Sequence, residues 1–279
     1  MDLSSRRQLV ETLIPIIRQA GKAALKLQKD DLAARTKEDG SPVTAADLAS
    51  HRILRAACLA SFPAIPVISE EDTPTAGADT NAAILLIDPL DGTKELIKGS
   101  DEFAVNIALV EDGRVGAGLI YAPARDRLFF SWGAGLAFEQ TAAGLRRKLP
   151  YHLAPRAQPI ALVSRSHCDP RTEALLAALK PCDVQEMGSS LKFAFVAAAE
   201  ADFYLRLGPT MIWDCAAGQA IIEAAGGTVL RADGSSLAYR FNRTRKVDGF
   251  IAARTPELAA HVVTAMKALQ TGNGVAESG

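Results

Sequence analysis

Ile84-Leu85-Leu86-Ile87-Asp88-Pro89-Leu90-Asp91-Gly92-Thr93 is the stretch on which the reading of this chain turns. Four consecutive aliphatic residues describe a strand buried on both faces. Two carboxylates and a hydroxyl follow at once. Pro89 has no N–H to give to a ladder, so the strand is expected to stop where the acids begin. Upstream, a second apolar run from Ile65 to Ile68 leads into Glu70 and Glu71. Like charges about 4 Å apart repel by roughly 4 kcal/mol at an effective dielectric near 20. Unless some of its members are protonated, a cluster of this kind needs a cation, and a cation among acids at strand ends suggests phosphate chemistry.

Asp88 and Asp91 flank the carbonyl of Leu90. Carboxylate, carbonyl and carboxylate on one tight turn can grip two hard cations through a shared Asp88. Gly92 and Thr93 would offer backbone N–H groups where a helix can start, which suits a phosphate; the plainer reading is a β-turn with a helix-capping acid. Glu70 and Glu71 are neighbours and cannot easily point the same way. One should face the site and the other solvent, and the sequence does not choose. Thr44-Ala45-Ala46-Asp47 has the form of a capping box with Asp in place of Glu; its functional reading is a carboxylate aimed at water beside the metal.

In the second half, Trp213-Asp214 precedes the small residues Cys215-Ala216-Ala217-Gly218. Asp214 can serve as a helix cap or as a carboxylate brought to the cluster by a helix that packs closely. Gly188-Ser189-Ser190-Leu191-Lys192 opens a helix with two hydroxyls and a cation, either a plain serine cap or an anion site. His167 and Arg206 are uninformative taken singly.

The chain has 279 residues, 48% hydrophobic and 23% charged, with a formal net charge of −1. This is the composition of an ordinary globular protein, and it gives no long-range attraction for a nucleic-acid polymer. No apolar run is long enough to span a membrane, and Met1 to Arg7 lacks the apolar core of a secretory signal. Cys58, Cys168, Cys182 and Cys215 form no C-x-x-C pair and read as reduced thiols of a cytoplasmic protein. The histidines His51, His152, His167 and His261 lack metal-binding spacing, so oxygen ligands and hence Mg²⁺ or Mn²⁺ are expected.

Leu9, Leu13, Ile16, Ile17, Ala20, Ala24 and Leu27 recur at helical spacing. Arg35 to Pro42 reads as a loop turning at Asp39-Gly40, and a second helix runs from Thr44 toward Leu59. Phe103 to Leu109, Val115 to Tyr121 and Arg127 to Trp132 read as strands, the first two joined by a hairpin at Glu111 to Arg114. The first half is thus two helices and an antiparallel sheet. A proline-rich stretch, 150–159, places a boundary between an α+β domain, residues 1–154, and a smaller α/β domain, residues 155–279. There, strands at Ile160, Asp202, Val229 and Ile251 alternate with helices at Pro170 to Leu179, Leu191 to Ala199, Trp213 to Ala225 and from Pro256 onward.

Taken together, these segments resemble the inositol monophosphatase superfamily of Mg²⁺-dependent phosphatases. Asp88-Pro-Leu-Asp-Gly-Thr93 and Trp213-Asp-Cys-Ala-Ala-Gly218 look like its two signatures. Ser41-Pro-Val-Thr-Ala-Ala-Asp47, Ser69-Glu-Glu-Asp72, Ser164-Arg-Ser-His167, Gly188-Ser-Ser-Leu-Lys-Phe193 and Gly208-Pro-Thr210 draw the likeness toward its 3′(2′),5′-bisphosphate nucleotidases of the CysQ type. The resemblance implies a layered αβαβα sandwich with a site between the two halves. Glu70, Asp88 and the Leu90 carbonyl would hold one Mg²⁺, and Asp88, Asp91 and Asp214 a second, with a third loosely held near Glu70 and Asp47. Thr93 and Asp47 match the pair that orients and deprotonates the attacking water. His167, Ser189, Lys192 and Arg206 match contacts to the nucleotide and its second phosphate, while Gly92 and Thr93 would touch the scissile one.

Inositol phosphatases tend to carry an acid shortly before Trp-Asp, and Arg206 to Ile212 contains none. The implied reaction is therefore hydrolysis of adenosine 3′,5′-bisphosphate to AMP and phosphate, in support of sulfate assimilation. The rivals are an inositol monophosphatase, a fructose-1,6-bisphosphatase, and a non-catalytic nucleotide-binding regulator. The expected partner is a small phosphorylated nucleotide; homodimerisation and peripheral attachment to the cytoplasmic face of the inner membrane are left open.

Overall fold

The computed structural model describes residues 1–29, 32–37, 40–72, 83–154, 156–166, 169–239 and 245–273, with side chains through residue 269. Five layers stack in the order helices, sheet, helices, sheet, helices.

The first layer is α1 (Leu3–Gln28) and α2 (Ala45–Ser61). Asp2 caps α1 by accepting the Ser5 N–H at 2.8 Å, and Thr44 caps α2. A short antiparallel pair, β1 (Arg35–Thr36) and β2 (Pro42–Val43), joins the two helices. The sequence reads a plain loop here; its turn residue Asp39 lies outside the described residues.

The second layer is a seven-stranded sheet, β3 (Val67–Ser69), β4 (Ile84–Asp91), β5 (Ala104–Glu111), β6 (Arg114–Ala122), β7 (Arg127–Ser131), β8 (Ala137–Gln140) and β9 (Arg146–Lys148), paired in chain order. It is not wholly antiparallel, as the sequence suggests, because β3 joins β4 in parallel. The short helix α3 (Thr93–Ile97) follows β4. The short strands β8 and β9 are not read from the sequence: β8 is four residues long and β9 is wholly cationic. Glu139 is only 4% exposed, and it tolerates this because Arg127 grips its carboxylate at 2.7 and 3.1 Å.

The fourth layer is a mixed five-stranded sheet of β10 (Ile160–Ser164), β11 (Asp183–Met187), β12 (Phe203–Arg206), β14 (Thr228–Leu230) and β16 (Phe250–Ala253), in the order β11-β10-β12-β16-β14. A separate pair, β13 (Thr210–Met211) with β15 (Lys246–Val247), lies beside it. Helices α4 (Pro170–Ala178) and α7 (Pro256–Asn273) cover its outer face.

Between the sheets lie α5 (Leu191–Ala197) and α6 (Ile212–Ala224). α6 has no polar face: eleven of its thirteen residues are buried, so it belongs to the core on every side. One apolar cluster runs from Ile84, Leu86 and Ile120 of the first sheet through Phe193, Ala216 and Ile221 to Tyr204 and Phe250 of the second. The small residues of α6 allow this contact. A Cβ placed on Gly118 of β6 would stand 2.4 Å from the Ala217 carbonyl. Only glycine there lets the sheet and α6 approach so closely.

Candidate active site

β4 alternates cleanly until it reaches its acids. Ile84 and Leu86 face the middle helices, while Leu85 and Ile87 face α1 and α2. In a regular strand Asp88 and Asp91, three residues apart, would then point to opposite faces. The ladder shifts instead. Asp88 pairs with Asn106 and Asp91 with Ala104, so four residues of β4 stand across from three of β5. This bulge falls at Pro89-Leu90, the one place where the missing N–H costs no ladder bond. The strand therefore continues through the acids rather than stopping at them, and the extra residue turns both carboxylates toward the middle layer.

Beyond Asp91 the chain reverses at Gly92, whose φ of +97° suits glycine; a Cβ there would meet the Glu102 carbonyl at 2.9 Å. Thr93 follows, and its hydroxyl donates to Asp47 Oδ1 at 2.8 Å, with the Leu90 carbonyl at 3.3 Å. Asp47 is 2% exposed, and its other oxygen accepts the Thr44 N–H at 2.8 Å and the Thr44 hydroxyl at 2.5 Å. One Asp47 oxygen thus closes the capping box and the other is given to Thr93.

Glu70 leaves β3 just after its last residue, its N–H donating to Ile87 O at 3.1 Å. It lines the same cavity of about 280 Å³ as Asp88, Asp91 and Asp214, whereas Glu71 does not. Lys37, which the sequence reading passes over, donates to Glu70 at 2.9 Å and to Glu71 at 2.6 Å. Asp214, on the first turn of α6, bends back to accept the Thr210 hydroxyl at 2.5 Å and the Met211 N–H at 3.3 Å. Acids from both halves of the chain thereby meet in one cleft.

The opposite wall is cationic. Lys192 and Arg206 line the cavity with Ser189 and Tyr204. Lys192 is 2% exposed; its ammonium donates to the carbonyls of Met187 and Ser189 at 3.0 and 2.5 Å and lies 4.9 Å from the centre of the Tyr204 ring. Arg206 donates to the Pro209 carbonyl at 3.0 Å. Ser190 does not cap α5 with its side chain, as the plain reading of that motif would have it. Its N–H goes to Asp91 and its hydroxyl to Asn106 Oδ1 at 2.8 Å, which fastens this loop to the acid-bearing sheet. His167 and Cys168 lie outside the described residues.

The electrostatics match the crowding. Burial, and then the charges of Glu70, Asp91 and Asp214, push the Asp88 carboxyl well above its ordinary range. Burial and Asp91 raise Asp214 to about 6, against the Thr210 hydroxyl and Arg206. Burial raises Glu70 to about 7, with Lys37 opposing and Asp214 adding to the effect. Burial pulls Lys192 down to about 8.

The donors present suit a hard divalent cation. All are oxygens, and Asp88 Oδ2 is buried without a hydrogen-bond partner, a costly state that a cation would relieve. Lys37, Ser190 and Thr210 hold Glu70, Asp91 and Asp214 in the present arrangement. Among the described residues no three acidic, histidine or cysteine side chains already close around one point. Completing such a shell calls for these carboxylates to turn from their partners to the ion.

The sequence profile of the inositol monophosphatase family matches residues 5–271. Among curated proteins, the 3′(2′),5′-bisphosphate nucleotidase CysQ of Salmonella typhimurium (strain LT2) is 38% identical over 234 residues, covering 83% of this chain and 94% of that protein. The nucleotidase of the same name from Buchnera aphidicola is 37% identical over 236 residues, covering 84% and 88%. Among solved structures, CysQ from Bacteroides thetaiotaomicron aligns with a TM-score of 0.76 at 33% identity, over 88% of this chain and 97% of that one. The extragenic suppressor protein suhB from Bartonella henselae reaches 0.78 at 23% identity, over 93% and 98%, and shares the fold.

Proposed function

The chain belongs to the inositol monophosphatase family, and we propose that it is a phosphatase that removes the 3′-phosphate of adenosine 3′,5′-bisphosphate, giving AMP and phosphate. One observation carries this reading: Glu70, Asp88, Asp91 and Asp214 line the same cavity as Lys192 and Arg206. An acidic wall suits metal-assisted attack on one phosphate, and a cationic wall suits a second phosphate on the same substrate. The curated relatives support the nucleotide, being 3′(2′),5′-bisphosphate nucleotidases by name at 37–38% identity.

Glu70, Asp88 and the Leu90 carbonyl would hold one Mg²⁺, and Asp88, Asp91 and Asp214 another. The ions would supply Lewis acidity to the attacking water and the departing ribose oxygen. The chain does the rest. The Thr93 hydroxyl gives its hydrogen to Asp47, so its lone pairs are free to accept one from water. A proton leaving that water can pass to Thr93 Oγ1 while the Thr93 proton moves to Asp47 Oδ1, 2.8 Å away. Thr44 holds the other Asp47 oxygen and keeps the carboxylate from rotating. The amides of Gly92 and Thr93 would touch the scissile phosphate. Ser189, Lys192 and Arg206 would receive the 5′-phosphate, fixing the nucleotide so that the 3′-ester lies over the acids.

The same proposal places the enzyme in the cytoplasm, clearing a by-product of sulfate assimilation. No described helix is long and apolar enough to cross a membrane. Phosphate release from adenosine 3′,5′-bisphosphate, inositol 1-phosphate and fructose 1,6-bisphosphate, each with Mg²⁺ and with EDTA, tests it. The bisphosphate nucleotide should give the highest kcat/KM and lose turnover in EDTA. A better rate on either sugar phosphate would overturn the substrate, and full activity in EDTA would overturn the metal.

A further inference from the structure

The helix that carries Asp47 bears two more polar side chains on the same face. Asp47, His51 and Arg55 recur at every fourth position of α2, within an arc of about 80°. Asp47 reaches the end of β4, and His51 and Arg55 both reach the end of β3. Asp47 takes the Thr93 hydroxyl, His51 Nδ1 lies 2.9 Å from Ser69 Oγ, and Arg55 Nε donates to Asp72 Oδ1 at 2.9 Å. Ser69 and Asp72 bracket Glu70. The Asp72 carboxylate accepts the Ser69 N–H at 3.0 Å, while the Asp72 N–H donates to the Ser69 carbonyl at 3.2 Å, closing a tight turn around the two glutamates.

Apart from Lys37, which grips both glutamates, that turn has little else to hold it. β3 is three residues long and lies at the edge of its sheet, laddered on one side only. Glu70 makes one backbone bond back to β4, and its carboxylate is drawn toward Lys37. The contacts with α2 supply the missing side. The trio of Ser69, His51 and Asp72 has the composition of a hydrolytic triad, but Ser69 is 0% exposed and His51 Nε2 stands 3.8 Å from the Asp72 carboxylate. A buried hydroxyl meets no substrate, so the arrangement serves to hold.

We propose that His51 and Arg55 are positioning residues for the Glu70 carboxylate. They lash its turn to α2, so that one helix face sets the water-orienting pair and a metal-binding acid in a single frame. This rests on reading Glu70 as a metal ligand, and the test separates the two.

The probe is Mn²⁺ alone, titrated into the full chain without nucleotide, with the free ion followed by electron paramagnetic resonance. Groups that hold a ligand in place typically alter metal affinity about 10–100-fold, so His51→Ala and Arg55→Ala should each weaken Mn²⁺ binding about tenfold or more. Ser69→Ala, which deletes one oxygen, should weaken it in the same direction and serves if His51→Ala does not fold. In a Glu70→Gln background, adding His51→Ala should change affinity by less than about twofold, because the two act through one carboxylate. Unchanged affinity in the single variants overturns the proposal, as does an equal loss with and without Glu70. If the wild-type chain binds no Mn²⁺, the metal reading of Glu70 falls and takes this proposal with it. Normal binding and normal variant losses without phosphate release would overturn the nucleotidase reading alone.

Discussion

The two walls of the cavity are built on opposite terms. The acidic wall is assembled from strand ends, a bulge and the start of a buried helix, and its charges are in conflict. Asp88 keeps a buried oxygen without a partner, and Asp88, Glu70 and Asp214 all hold their protons above the ordinary range. The cationic wall is nearer to settled with its own backbone: Lys192 gives two hydrogens to nearby carbonyls and Arg206 gives one, while Arg206 Nε alone is left buried without a partner. A wall in conflict gains most from a ligand, since binding removes repulsion as well as adding contacts. A wall nearer to satisfied, with one donor still to place, gains less and contributes mainly by orienting what arrives. Under the proposed function, this difference would leave the acids to drive the chemistry and the cations to choose the substrate.

The sharpest way to break that contrast is Asp91→Asn. We expect kcat for phosphate release to fall by about 10³-fold or more, roughly 4 kcal/mol of barrier, with the unfolding transition retained. Near-normal turnover would remove Asp91 from the metal set. A smaller effect is expected across the cleft. Arg206→Gln should lower kcat/KM for adenosine 3′,5′-bisphosphate by about 10- to 100-fold, the loss expected of one charge-assisted contact. On 3′-AMP, which lacks the second phosphate, the same variant should change little. Equal losses on both nucleotides would mean that Arg206 supports the fold or the acids instead.

The smallest effect concerns stability without metal. Asp88 and Asp214 titrate higher in the folded chain than in the unfolded one, Asp214 at about 6. Between the ordinary carboxylate value and that raised one, the native state binds more protons than the unfolded state. Unfolding free energy therefore falls as pH rises through this window, by on the order of 2 kcal/mol. In EDTA, Tm should be lower at pH 8 than at pH 4.5, and Mg²⁺ should raise it more at pH 8. His51, whose pKa is lowered by burial, works in the other direction as it takes up a proton in the unfolded chain. Asp214→Asn isolates the carboxylate effect and should flatten the decline. The same decline in that variant would sink this account of the acids.

Much of the acidic wall is legible in the sequence, because its parts are local. Four aliphatic residues followed by Asp-Pro-Leu-Asp-Gly announce a strand that delivers acids, and Thr44 to Asp47 announces a capped helix start. What is not legible depends on residues far along the chain. The bulge at Pro89-Leu90 exists only in register with β5. The choice between Glu70 and Glu71 depends on how the turn at β3 faces the cavity, and Lys37, which binds both, reads merely as a loop residue. Lys192 looks like a helix-opening cation until β12 places Tyr204 beside it. The layered fold follows from the family signatures more than from periodicity, since α6 is apolar over most of its circumference and shows no distinct polar face that would reveal its place between two sheets.

That all-round burial of α6 also bears on how such a scaffold can diversify. Asp214 rides on an element with no freedom to shift unless the sheets on either side move with it. The spacing between the carboxylates of the two halves is thus inherited from the interior, beyond the reach of surface variation. The loop from Met187 to Lys192 and the end of β12 are tied down by a few hydrogen bonds. New substrates could be accommodated by rewriting those borders while the arrangement of the acids is passed on unaltered.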